Sequence, residues 1–294
     1  MSGFSANWLA LREPADRKAR SAGPTSVISL ATRAIGPVRV VDLAGGTGSN
    51  VRFLAEHLPY EQSWVVVDDD PELLAQLPDQ MQLWCDDQGF AFDHDEIGYL
   101  IHGDRPTCHV SVQRADLAVD VERVIPEGVH LVTASALLDL VSEPWLDRLV
   151  RRCEQMGSAA LFGLTYDGQV RCSPEEPEDA LVLRLVNRHQ RRDKGFGPAL
   201  GPDATSKAED LFRAYGYQVR LDRSDWVLAV GSEALQRALI EGWAEAASAM
   251  AIEKASAIWA WKERRLSHVR DRRSSLTIGH QDMVAWLPAS HGRH

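Results

Sequence analysis

One segment constrains the fold of this chain more than any other: Val38-Arg39-Val40-Val41-Asp42-Leu43-Ala44-Gly45-Gly46-Thr47-Gly48. An apolar run stops at a glycine cluster, and a helical pattern follows at once with Val51, Phe53, Leu54 and Leu58. A second apolar run, Trp64-Val65-Val66-Val67, closes on Asp68-Asp69-Asp70-Pro71 and leads into helix-like Glu72 to Leu77. Continuous apolar strands that alternate with helices belong to a parallel sheet covered on both faces. The glycines allow a tight turn and close approach of backbone to a ligand, because no Cβ intervenes.

The alternation continues along the chain. His109 to Val112 is a third strand, closed by Ala115-Asp116-Leu117; Val129 to Thr133 is a fourth, followed by a helix from Glu143 to about Cys153; Ala159 to Leu164 is a fifth. A helix starting at Ser206 has a capping-box partner in Glu209 and ends near Gly216. Tyr217 to Leu221, Trp226 to Val230 and Leu276 to Trp286 complete the strands. The expected fold is α/β: a Rossmann-like, doubly wound, mainly parallel seven-stranded sheet with helices on both faces and helical insertions forming a substrate lid.

A single domain over residues 1–294 accommodates this pattern. Residues 1–35 form an N-terminal helical cap, with helices from Asn7 to about Arg20 (Pro14 a candidate break) and from Thr25 to Ala34. Residues 36–171 form the ligand-binding core, 172–204 a substrate-side insert, and 205–294 the rest of the core with a helical insert at 235–270. Residues 81–108, rich in Asp and His, also exceed a minimal doubly wound domain. Insertions at the carboxyl edge of such a sheet usually build the substrate site.

The formal net charge of -10 disfavours nucleic acid, whose binding needs a basic surface. No apolar run is long enough to span a membrane. Met1 to Ser21 lacks a signal-peptide pattern, so a cytoplasmic location is expected. Cys85, Cys108, Cys153 and Cys172 are widely spaced and form no CxxC pair, which points to reduced thiols. His94, His102 and His109 with Asp93, Asp95 and Asp104 match no compact ligand spacing, so no metal is expected. A homodimer through the N-terminal or C-terminal helices is compatible with the sequence.

Two details sharpen the reading of the glycine turn. Asp42 ends the first strand just before the glycines, where its charge would repel a dinucleotide pyrophosphate. A sulfonium ligand with an α-ammonium group has no phosphates and tolerates the acid. The GxGxxG spacing is also absent, with Val51 standing where the third glycine would be. Asp68, 20 residues after Gly48, sits where a carboxylate can accept both hydroxyls of a ribose.

Over roughly residues 36 to 165 the chain resembles the class I S-adenosylmethionine-dependent methyltransferases. The resemblance rests on Asp42 to Gly48, Val65 to Pro71, Ala115-Asp116-Leu117 and Thr133 to Asp139. Ala44 replaces the commoner first glycine, a variant the family also shows. The resemblance implies S-adenosyl-L-methionine as cofactor, S-adenosyl-L-homocysteine as product, and a small-molecule acceptor methylated on oxygen or nitrogen. It places Gly45, Gly46 and Gly48, with Ala44 and Asn50 in the same turn, under the methionine part. Asp42 would face the ammonium, directly or through water. Asp68 would hold the ribose hydroxyls, with Asp69 against adenine or ribose. Asp116 would accept the adenine amino group, Leu117 would stack or offer its backbone, and Ser135 would border the methyl. Arg20 is a candidate for the cofactor carboxylate. Plainer roles stand beside these: Asp69 or Asp70 as a helix cap, Asp116 as a turn residue, Ser135 as a cap, and Arg20 in a surface charge run.

Methyl transfer chiefly requires alignment of the nucleophile, with a general base where a proton must leave. His189, in the insert after the fifth strand with Lys194 and Gly195-Phe196-Gly197, is the first candidate base. It also reads as part of a solvated face with Arg188, Arg191 and Arg192. Asp139 and Tyr166 are further catalytic candidates, and His280 reads as structural. Alternatives for the whole chain are a nicotinamide-dependent oxidoreductase and a noncatalytic Rossmann-like binding module. A nucleic-acid methyltransferase is disfavoured by the acidic balance and by the lack of an Asn-Pro-Pro-aromatic tetrad after the fourth strand.

Overall fold

Apolar strand runs converge on one ten-stranded sheet, in a computed structural model that describes residues 5–33, 35–95, 98–103 and 106–288. Helices α1 (Ala6–Ala19) and α2 (Ala22–Thr32) precede strand β1 (Val38–Leu43). Helix α3 (Ser49–Leu54) leads to β2 (Glu61–Asp68), and α4 (Pro71–Gln88) to β3 (Ala91–His94), β4 (Tyr99–His102) and β5 (Thr107–Arg114). A short α5 (Leu117–Asp120) precedes β6 (Leu131–Ser135), and a 3-10 turn at Leu138–Leu140 with α6 (Glu143–Met156) leads into β7 (Ala159–Ser173). Then follow α7 (Asp179–Gln190), α8 (Ala204–Ala214), β8 (Gln218–Arg223) and β9 (Trp226–Leu228). Helices α9 (Glu233–Met250) and α10 (Ala255–Arg270) precede β10 (Ser275–Trp286).

Strands β5-β2-β1-β6-β7 are parallel neighbours in that order. This is the order of a doubly wound Rossmann-like sheet, with its switch point between β1 and β6. β10 runs antiparallel between β7 and β8 and completes a seven-stranded core, the number expected, with the run at Trp226 an additional strand rather than one of the seven. Three further strands extend them: β9 pairs with β10, and the β3–β4 hairpin adds to the β5 edge.

Alternation along the strands sorts side chains onto two cores. Val38 and Val40 of β1 pack with Trp64, Val51, Leu54, Leu77 and Met81 beneath α2, α3 and α4. Val41 and Leu43 face the opposite side, with Trp145, Leu149, Phe162 and Phe212 beneath α6 and α8. A third core builds on the far halves of β7 and β10, which pass beyond the carboxyl ends of the parallel strands. There Tyr166, Trp226, Leu235, Ile258, Trp261 and Leu276 gather under α7, α9 and α10. α1 packs against this third core through Trp8, Leu11, Ala15 and Ala19. It therefore spans from the C-terminal helices to the switch point.

Several sequence expectations are corrected. Residues 81–108 exceed a minimal doubly wound domain only in part: Met81 to Gln88 complete α4, which runs through Pro78, and the rest is mostly edge hairpin. Its acids and histidines pair across that edge, His102 with Asp93 at 2.6 Å and His109 with Asp95 at 3.5 Å. Polar and acidic side chains on an edge strand discourage edge-to-edge association. Among the described residues no three of these side chains form a metal site; Asp104 lies outside the described residues, as does Ala34.

Pro14 does not break α1. The lost backbone bond and ring clash cost about 3 kcal/mol, offset by contacts on either side. Arg12 pairs with Asp16 at 2.8 Å, and Glu13 takes the guanidinium of Arg52 at 2.6 and 2.9 Å. α8 begins at Ala204, before Ser206, because its buried stripe starts at Ala204 and Thr205 and continues to Ala208 and Phe212. The capping box therefore falls inside the helix. The block at 235–270 is two helices joined by a 3-10 turn. Among the described residues no helix is long and apolar enough to cross a membrane.

The third core is pinned by Arg265, which is 0% exposed and bonds Asp179 and the carbonyl of Pro174. Trp261 Nε1 also donates to Asp179, at 2.7 Å. Replacing Arg265 by Met strands that carboxylate, so denaturant unfolding should show a loss of about 3 kcal/mol. The double variant with Asp179→Asn should recover part of it.

Candidate functional site

The turn after β1 is shaped by what surrounds it. Gly46 and Gly48 take φ of 52° and 81°, and Ala44 takes 52°. A Cβ on Gly45 would lie 2.5 Å from Val66 Cγ1 and 2.8 Å from Asp42 Oδ2. Asp68 ties the turn to the end of β2: its Oδ2 accepts from Gly46 N at 2.9 Å and its Oδ1 from Asp70 N at 3.0 Å. Asp70, not Asp69, caps α4, accepting from Glu72 N at 2.8 Å. Asp69 stays exposed beside Asp68.

A line of polar groups runs across the switch point. Asp42 is 0% exposed; its Oδ1 accepts from Asn50 Nδ2 at 2.7 Å, and among the described residues its Oδ2 has no hydrogen-bond partner. Asn50 Nδ2 also donates to Thr133 Oγ1 of β6 at 3.1 Å, while Asn50 Oδ1 accepts from Arg20 Nη1 at 2.9 Å. Arg20 is therefore not a surface charge: its side chain is 3% exposed. It lies 4.5 Å over the Phe53 ring and so close above Gly163 that a Cβ there would meet Arg20 Cζ at 2.6 Å. Arg20 Nε is 3.4 Å from Asp282 Oδ2, and among the described residues neither Nε nor Nη2 makes a hydrogen bond.

Asp282 holds this end of the line together. It accepts from Leu164 N at 2.7 Å and from Ser21 N at 2.8 Å, joining β7, β10 and the α1–α2 junction. Sequence reasoning missed Asp282 and Gly163. The available signals were a lone acid and a lone glycine inside otherwise apolar strands.

Burial pushes the Asp42 carboxyl up to about 7, although the Asn50 donor and the Arg20 charge oppose this; Asp68 adds repulsion. Burial also raises the Asp68 carboxyl, opposed by the Asp70 and Gly46 N–H groups. α1 roofs the turn, with Leu9 Cδ1 3.0 Å from where a Gly46 Cβ would stand. Asp16, Arg20, Asn50, Phe53, Ser135 and Leu164 border a cavity of about 20 Å³ beneath it. Ser135 thus faces the same space as Arg20. A groove of about 510 Å³ lined by Leu30, His57, Tyr60 and Phe90 shares none of these residues.

The other nominated residues are placed as follows. Asp116 caps α5, accepting from Ala118 N at 2.9 Å. Leu117 is buried in the core, and its carbonyl accepts from Trp145 Nε1 at 2.6 Å. Asp139, on the 3-10 turn after β6, is 6% exposed, and among the described residues its Oδ1 has no hydrogen-bond partner. Burial pushes it up to about 6, opposed by backbone N–H groups and by the charges of Arg12 and Lys194. Tyr166 donates to Asn187 Oδ1 at 2.8 Å, and burial raises its phenol.

Asn187, rather than His189, is thus the α7 residue that hydrogen-bonds Tyr166 among the described residues. Two residues further on, His189 points about 200° around the helix from Asn187. Burial and the charges of Lys194 and Arg192 lower its pKa. His280 is buried against Trp226 and Tyr166, with ring centroids 4.8 and 6.1 Å away. Its Nδ1 is 3.1 Å from the carbonyl of Ile278 and must donate to it; burial lowers its pKa to about 3, keeping the ring neutral.

No family model matches the chain, and comparison with curated proteins gives no match. Among solved structures, the chain is similar to a SAM-dependent methyltransferase from Geobacter sulfurreducens in complex with S-adenosyl-L-homocysteine, at 15% identity and TM-score 0.47, covering 98% of this chain and 100% of that one. It is similar to another from Thiobacillus denitrificans, also in complex with S-adenosyl-L-homocysteine, at 14% identity and TM-score 0.46, covering 97% and 99%. A cyclopropane synthase from Mycobacterium tuberculosis aligns at 12% identity and TM-score 0.42, covering 88% and 82%.

The raised Asp42 carboxyl has a consequence for stability. An exposed carboxyl titrates near 3.8 and the folded one near 7, so the proton is held more tightly in the folded state. The stabilisation this provides is full below about pH 4 and is lost as pH rises through 7. Asp42→Asn removes the cost of the buried charge. At pH 8 the ligand-free variant should be more stable than the wild type by up to about 4 kcal/mol, and at pH 4 nearly unchanged, as followed by thermal melts across pH.

Proposed function

We propose that the protein is an S-adenosylmethionine-dependent methyltransferase that modifies an oxygen or nitrogen of a small molecule. The observation that carries this reading is the pair of buried, unsatisfied groups on either side of Asn50: Asp42 Oδ2, an acceptor, and Arg20 Nη2, a donor. Buried polar atoms of this kind cost free energy unless a partner is supplied. An α-amino acid end, with ammonium and carboxylate on one carbon, supplies both. A dinucleotide pyrophosphate would meet the Asp42 charge and supply no cation.

The residues of the switch point fit such a cofactor. Asp42 and Arg20 would hold its amino-acid end, the backbone of Gly45 to Gly48 would lie beneath, and Asp68 would take the ribose hydroxyls with the lone pairs its two backbone donors leave free. Asp69 and Asp116 would stand toward the adenine. When bound, the cofactor supplies a methyl group on a sulfonium, already activated for in-line displacement. What remains for the chain is to align the acceptor and take its proton.

Ser135 and Leu164 would border the methyl group. Asp139 is the better-placed base: it is ionised above about pH 6 and its Oδ1 is unpartnered. Tyr166, which keeps its proton, would position the acceptor together with Asn187. His189, directed away from Tyr166, would act at the mouth of the site rather than at the methyl.

Calorimetric titration with S-adenosylmethionine, S-adenosylhomocysteine and NADH tests the reading. Both adenosyl ligands should bind at micromolar concentrations, with NADH not binding. Asp68→Ala should weaken both by about tenfold or more, the loss of charge-assisted hydrogen bonds. NADH binding without adenosyl binding would establish a nicotinamide enzyme instead.

A further inference from the structure

We propose that the acceptor is a small anion, its carboxylate or phosphate held by Lys194 and Arg192 and its nucleophilic N–H or O–H held by Asp139. The proposal rests on the methyltransferase reading and names the substrate class of that site.

The chain carries a net charge of -10, yet five cationic or titratable bases crowd residues 188–194. Arg188 is committed to the carbonyl of Met250, and Arg191 to Asp203 at 2.9 Å. Among the described residues, the side chains of Arg192 and Lys194 have neither an ion pair nor a hydrogen bond. Each nevertheless acts on its neighbours: the Arg192 charge depresses the Lys194 ammonium, after burial, and both depress His189. Among the described residues, Asp139 is the one acid that favours the Lys194 ammonium, against the neighbouring charge of the exposed Arg192, and a bound anion relieves the repulsion between these two cations.

The loop that carries Lys194 is fixed in place. Asp193 Oδ1 accepts from Gly195 N at 2.6 Å and Gly197 N at 3.1 Å, with both glycines at positive φ. Phe196 packs edge-on against Trp145 at 5.4 Å, and Leu200 N donates to Val141 O at 2.8 Å. These contacts fold the loop onto the 3-10 turn that bears Asp139. The unpartnered Asp139 Oδ1 is the second, independent observation: a buried acceptor lacking a donor. An anion carrying an amine or hydroxyl answers both needs, with its charge toward Lys194 and its N–H or O–H toward Asp139. Arg12 does not compete for the anion, being paired with Asp16 at 2.8 Å and stacked 5.1 Å over Trp226.

The test uses inorganic phosphate as probe, titrated calorimetrically into the full-length protein with and without S-adenosylhomocysteine. The wild type should bind phosphate saturably. Lys194→Met should weaken it about tenfold, one charge-assisted contact. Asp139→Asn should tighten it, because a neighbouring negative charge is gone, and this gain is not expected from a misfolded variant. 2-Aminobenzoate or 2-hydroxybenzoate should compete with phosphate in the wild type, and aniline and phenol should not. Phosphate that fails to bind, or binds equally to wild type and Lys194→Met, overturns the proposal, as does equal competition by aniline. S-adenosylhomocysteine affinity should be unchanged in Lys194→Met. If the wild type binds phosphate through Lys194 but not S-adenosylhomocysteine, the methyltransferase reading fails while the anion subsite stands.

Discussion

The line Asp42–Asn50–Arg20–Asp282 is the interaction on which the rest of the site depends. It places two carboxylates and a guanidinium in a region almost without solvent, joined by one amide that donates to Asp42 and accepts from Arg20. Such an arrangement is favourable only when every group has a partner. Here, among the described residues, Asp42 Oδ2 and the Arg20 Nε and Nη2 donors are left without hydrogen bonds. The buried cost at Asp42 and the unmatched donors of Arg20 are the same fact seen from two residues. On the proposed reading, a ligand bearing both an ammonium and a carboxylate would complete the network.

This network depends on the topology around it. Asp42 ends β1, Thr133 belongs to β6, and the crevice between those strands exists because the chain leaves β1 in one direction and returns to β6 on its other side. Arg20 comes from the N-terminal helix, which reaches the crevice because the third core holds its far side. That core in turn stands on the extended halves of β7 and β10, whose irregular pairing near Gln281 and Met283 accompanies the inward carboxylate of Asp282. The cap and the sheet are therefore one construction. The Glu13–Arg52 pair, with Arg52 also donating to the Thr47 carbonyl at 2.7 Å, clamps the helix to the turn it covers.

The parts of this arrangement readable in the sequence are the local ones. The β1 turn, the acid after β2 and the strand–helix alternation are written in contiguous residues, whose periodicity and glycine content have direct conformational meaning. Asp282 was not readable, because its partners Leu164 and Ser21 lie 118 and 261 residues away. Arg20 could be nominated but not separated from a surface charge run, since its burial depends on Gly163 and Phe53. The Ser206–Glu209 pair matched a capping pattern and lies inside a helix, because tertiary burial of Ala204 and Thr205 moved the helix start. The hairpin at 91–102 was hidden for a similar reason: short polar edge strands lack the apolar signal that marks central ones.

The most direct test of the central claim asks whether Arg20 reads the carboxylate of the ligand. Calorimetry would compare S-adenosylhomocysteine with its decarboxylated analogue, in the wild type and in Arg20→Met. The account predicts that the wild type prefers the carboxylate-bearing ligand by about tenfold or more. Arg20→Met should bind the two alike, at the level of the analogue. A variant that still discriminates as strongly as the wild type would contradict the account, and would assign the amino-acid end of the ligand to other residues.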